Sequence, residues 1–103
     1  MREFKRRDRT EIMIDILTQA GRPISITKLV YRTNLNFMLV RNYAGFLIDK
    51  ELLEVVGNSH KSYRTTEKGV EFLKGYRRMI ELLEGFSINK EVIPKGRLTK
   101  EVI

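Results

Sequence analysis

The residues of this chain that could do chemistry are cations and amides, with no paired acids and bases among them. Lys28, Arg32 and Arg41 fall in a window from Ile16 to Ile48 that holds no Asp or Glu. Lys28 and Arg32 are four residues apart, so a helix puts both on one face, where they can hold phosphates. Asn36, Met38, Arg41 and Asn42 form a second group. Helical spacing sets Met38, Arg41, Asn42 and Gly45 opposite an apolar face of Val40, Tyr43, Ala44 and Leu47. Arginine suits a guanine edge, asparagine an adenine edge, and methionine a thymine methyl. Met38 and its neighbour Leu39 equally suit a contact with another protein. A third group, His60, Lys61 and Arg64, lies between Val55 and Thr66, a stretch also free of acids. Its chemistry suits a nucleic-acid backbone or minor groove.

Local signals predict the elements that position these groups. Asp8 can cap a first helix, with Glu11 completing a capping box. Ile12, Met13, Ile16, Leu17 and Ala20 make its apolar face. Gly21 is expected to end it in the usual C-terminal position, and Pro23 forbids its continuation. Pro23 to Ser25 can supply a short strand. A second helix is expected over about Thr27–Arg32, with Leu29 and Val30 inward, and Thr33-Asn34 ends it. Asn36 caps a third helix running to about Lys50. Leu52 to Val56 and Ser62 to Thr65 read as strands around a Gly57-Asn58-Ser59 turn. Thr66 then caps a helix to about Glu84, closed by Gly85.

Composition narrows the class further. The 103 residues suffice for one domain with a modest core, and the 42% hydrophobic content favours a folded globule. A net charge of +7 implies an anionic partner, with nucleic acid ahead of a membrane surface. The absence of cysteine excludes disulfides and thiolate chemistry and fits a reducing compartment. No uncharged apolar run approaches the roughly 18 residues needed to span a bilayer, and Asp15 interrupts Ile12-Met13-Ile14, so a cytoplasmic protein is expected. The run from Met1 to Arg9 carries five basic residues and suits either a phosphate-touching arm or a solvated first turn.

Enzymatic constellations are missing. His60 is the single histidine and stands in a turn, so no metal ligand set forms around it. Asp49, Glu51 and Glu54 cluster near a strand start without a general-acid partner. No Gly-rich phosphate loop or nucleophile elbow occurs. The expectation is a protein that is not an enzyme, with no metal, no cofactor and no small-molecule ligand.

In the last helix, Phe72, Tyr76, Met79, Leu83 and Phe86 follow the spacing of a coiled-coil seam, with Leu73 and Ile80 beside it. The width of this stripe fits either a homodimer interface or burial within one subunit. The tail from Phe86 to Ile103 contains Lys90-Glu91-Val92-Ile93 and Lys100-Glu101-Val102-Ile103, which suit two short strands or a frayed end. The expected organisation is a domain over residues 1–84 and a tail over 85–103.

The order helix, helix, helix, hairpin, long helix resembles the small archaeal winged-helix DNA-binding proteins, both dimeric chromatin-associated proteins and transcription regulators. The matching words are Thr27-Lys28-Leu29-Val30-Tyr31-Arg32-Thr33-Asn34-Leu35, then Phe46-Leu47 with Leu52-Leu53, then Tyr63-Arg64-Thr65-Thr66-Glu67-Lys68-Gly69 with Phe72-Leu73. The resemblance covers Asp8 to Glu84. It implies a mainly α fold with a small β-hairpin, a winged helix-turn-helix whose long C-terminal helix dimerises as an antiparallel coiled coil. It also implies duplex DNA as partner, in transcription regulation or chromosome organisation. Two places depart from the family pattern: Met38-Leu39, where polar or basic residues are frequent, and Thr65, where an apolar strand residue is common. The rival readings are a winged-helix protein-interaction module within a larger transcription or replication assembly, and RNA binding. The latter lacks aromatic stacking clusters on its strands.

Overall fold

Asp8 and Glu11 close the start of the first helix reciprocally. Asp8 Oδ1 accepts the Glu11 amide at 2.8 Å, and Glu11 Oε1 accepts the Asp8 amide at 3.2 Å. From this cap the computed structural model, which describes residues 8–84, runs α1 Arg9–Gln19, α2 Ile26–Thr33, α3 Phe37–Asp49, β1 Leu53–Val56, β2 Ser62–Thr65 and α4 Glu67–Glu84. This is a winged helix-turn-helix. The expected N-terminal arm, apart from Asp8 and Arg9, and the expected Gly85 stop, Phe86 contact and tail strands lie outside the described residues.

α1 ends where expected, with Gly21 directly after its C-cap, but the turn at Gly21 is not left-handed. Ala20 is its C-cap, with φ −92°, and Gly57 is the one glycine of positive φ among the described residues. The carbonyls of the last turn find another partner instead. Thr65 Oγ1 donates to the Leu17 carbonyl at 2.7 Å, and the Thr65 amide donates to the Ala20 carbonyl at 2.8 Å. With those acceptors satisfied by a strand, a left-handed turn at Gly21 is unnecessary. The same bonds explain why a threonine occupies a buried strand position.

The helix-turn-helix is built from two side-chain caps and one left-handed residue. Ser25 Oγ accepts the Lys28 amide at 3.2 Å, and Asn36 Oδ1 accepts the Leu39 amide at 2.8 Å. Between them Asn34 closes α2 at φ 59°, a conformation asparagine tolerates better than most residues. α3 is followed by Lys50 and then Glu51, also left-handed at φ 66°. Lys68 Nζ caps the Lys50 carbonyl at 3.0 Å.

β1 and β2 pair antiparallel, with Leu53 opposite Thr65, Glu54 opposite Arg64 and Val55 opposite Tyr63. Ile24 adds a single-residue bridge: its amide donates to the Tyr63 carbonyl at 3.0 Å and its carbonyl accepts the Tyr63 amide at 2.8 Å. The expected strand before α2 is thus one residue long. Gly57 opens the wing turn at φ 98°, and a Cβ there would collide with the His60 carbonyl. At the other end of the hairpin Thr66 caps α4 through the Gly69 amide at 3.0 Å. Gly69 is buried so tightly that a Cβ would meet the Leu52 carbonyl and the Thr65 methyl.

The chain divides into two units, Met1–Leu73 and Lys74–Ile103. In the first, α1, α2 and α3 pack on one another, β1 lies against α3, and β2 lies against α1. Ile16, Leu17, Leu29, Val40, Leu47 and Leu53 are its largest fully buried side chains. Each contributes about 1.5–3 kcal/mol by leaving water. Leu73 completes this core, and Phe72 packs against it half-buried. The described part of the second unit is the helical segment Lys74–Glu84, in which Met79, Leu82 and Leu83 are exposed.

Candidate nucleic-acid interface

Helical geometry delivers the expected groups in order. Lys28 and Arg32 are both exposed on α2, one turn apart. Met38, Arg41 and Asn42 are exposed on α3, and the face opposite them holds the buried Val40, Ala44 and Leu47. Among the described residues, none of Lys28, Arg32, Arg41 and Lys61 has a carboxylate at ion-pair distance. No described carboxylate compensates their charge in place. His60 and Lys61 are exposed beside the wing turn, with His60 Nδ1 3.3 Å from Ser59 Oγ.

Three candidate residues prove to be engaged already. Asn36 Oδ1 is the α3 cap, which fixes the side chain and leaves its amide nitrogen wholly available to a ligand. Arg64 is held by Glu54 across the hairpin. Leu39, paired with Met38 in the sequence as a possible contact, turns inward and packs half-buried against the core. Met38 stays out, 59% exposed. Of the expected dimer contacts, Phe72 and Tyr76 are half-buried, while Met79 and Leu83 are 47% and 74% exposed.

Two exposed aromatics stand outside the groups expected from sequence. Tyr31 is 83% exposed between Lys28 and Arg32. Phe46 sits with Arg9, Met13, Asn42 and Tyr43 around an open cleft of about 380 Å³. Phe46 carries the Lys50 ammonium 5.6 Å from its ring centroid. Both aromatics were visible only as parts of family-like words; turning α2 and α3 at 100° per residue would have put them outside. No cluster of three or more His, Asp or Glu residues able to hold a metal occurs among the described residues. No described helix is long and apolar enough to cross a membrane.

Comparison with known proteins agrees with this architecture. No curated protein sequence matches the chain. Among solved structures, Sso10a-2, a DNA-binding protein from Sulfolobus solfataricus, is similar at 26% identity and TM-score 0.67, over 87% of this chain and 100% of that one. AF1382 from Archaeoglobus fulgidus shares the fold at 16% identity and TM-score 0.59, over 75% of this chain and 91% of that one. ZitR from Lactococcus lactis shares it at 15% identity and TM-score 0.59, over 88% and 74%. The winged helix-turn-helix family pattern matches residues 6–84, from the approach to α1 through the last residue of α4. The chain belongs to the winged helix-turn-helix family.

Proposed function

We propose that this chain binds duplex DNA as a homodimer, without catalysis, in transcription regulation or chromosome organisation. The observation that carries the reading is the charge of Lys28, Arg32 and Arg41 on the exposed sides of α2 and α3, with no described carboxylate at ion-pair distance and within a sequence window free of carboxylates. α3 enters the major groove, Lys28 and Arg32 hold phosphates, and the wing brings His60 and Lys61 to the backbone or minor groove. The similarity to a Sulfolobus protein described as DNA-binding supports the same partner. The exposed apolar residues of α4 support pairing of two copies.

The test is an electrophoretic shift on random duplex DNA over a salt series, repeated on single strands and on duplex RNA. A dimer neutralising about six to ten phosphates gives a slope of log K against log salt near −5 to −9. A slope near zero removes the proposal. A second reading, a protein-interaction module, is favoured by the exposure of Tyr31, Phe37, Met38 and Phe46. A stable hetero-complex formed by a chain that does not bind DNA would establish it instead.

A further inference from the structure

The exposed face of α3 offers few groups to a base edge. Asn36 Oδ1 is engaged as the helix cap and Leu39 is packed inward. Arg41 and Asn42 remain as hydrogen-bonding side chains. One turn before them stands Met38, exposed, apolar and in the first turn of the helix. The first turn is where a recognition helix brings side chains to base edges. One turn after them stands Gly45, where a Cβ would have nothing within 4 Å. No side chain there holds the helix backbone away from a groove.

A thioether is a poor partner for the polar edge of a G·C pair, because it cannot donate and accepts only weakly. A groove edge covered by Met38 would lose water without gaining a hydrogen bond. The major groove presents one apolar group, the C5 methyl of thymine. Asparagine, four residues on, matches the adenine N6 and N7 edge. Both side chains therefore favour A·T pairs at the positions they meet.

We propose that α3 selects A·T pairs at the positions met by Met38 and Asn42, seating Met38 on a thymine methyl and Asn42 on an adenine edge in the major groove. This rests on the duplex-DNA reading above. Met38 is a specificity-determining residue and not a source of general affinity, which the phosphate contacts supply.

Fluorescence anisotropy on the full chain tests it with two duplexes of one A·T-rich sequence. In the second duplex deoxyuridine replaces thymidine and removes only the methyls. The unmodified protein is expected to bind the thymidine duplex at least about fourfold more tightly, the worth of one buried methyl group. Met38→Ala brings that ratio close to one and leaves the salt slope unchanged. Met38→Leu, which keeps an apolar contact, retains the ratio. Because Met38 is exposed, circular dichroism should show both variants folded. A ratio of one in the unmodified protein, or a ratio that survives Met38→Ala, overturns the inference while steep salt-dependent binding leaves the DNA reading standing. Failure to bind either duplex overturns both.

Discussion

Glu54 holds Arg64 across the wing: a single carboxylate oxygen accepts from Arg64 Nε at 2.9 Å and from Nη2 at 2.7 Å. The strand register sets the two residues opposite each other. The wing's net charge is thereby lower than its run of basic residues suggests. Glu54→Gln removes the compensating charge and is expected to tighten duplex binding and steepen the salt slope by about 1. Arg64→Ala is expected to cost less affinity than Lys61→Ala. Titrations over a salt series check both; equal losses at Arg64 and Lys61 would mean that the ion pair opens on binding.

Readout and grip separate at Arg41 and Lys61. Arg41→Ala should cost about 1–3 kcal/mol on a preferred site and less on random DNA. Lys61→Ala should weaken binding to every sequence by a similar factor and make the salt slope shallower by about 1. If both variants act alike on all sequences, the protein grips DNA without reading it.

Self-association should depend on the exposed apolar residues of α4. Replacing Met79 and Leu83 with Glu puts two carboxylates into an apolar seam, and burying them unpaired is costly. The double variant is expected to be monomeric by light scattering where the unmodified chain is dimeric at micromolar concentration. A monomeric unmodified chain ends the homodimer proposal.

Thr65→Val keeps the shape of a buried side chain and deletes its hydrogen bond to the Leu17 carbonyl. The acceptor is left short of a partner, so about 1–3 kcal/mol of stability should be lost. Each kcal/mol corresponds to roughly 4–8 °C in Tm for a domain of this size. Thermal melts that agree within a degree would show that another donor replaces the hydroxyl.

What the sequence made legible was local. The Asp8–Glu11 box and the Thr66 cap depend on neighbours three residues away and the Ser62–Thr65 strand on a short run bounded by turn residues, and all stand where their patterns predict. The role of Thr65 was hidden because its acceptor lies 48 residues upstream. The engagement of Arg64 was hidden because it depends on the hairpin register, which residue types alone do not fix. Gly21 follows the C-cap of α1 as expected, but without a left-handed φ, because a distant strand satisfies the carbonyls that such a turn would otherwise serve. Leu39 was misread because Met38 and Leu39 are adjacent in sequence but 100° apart around a helix.

The two-way bridge between Ile24 and Tyr63 makes one mechanical element of two parts that the sequence holds far apart. Ile24 immediately precedes Ser25, whose hydroxyl caps α2. Peeling the wing strand away therefore loosens the start of the helix that carries Lys28 and Arg32. In hydrogen exchange the amides of Ile24, Lys28 and Tyr63 should open together, with one protection free energy. A nucleic acid that clamps only the wing tip should slow all three, so that occupancy of the hairpin is felt at α2 without any contact there.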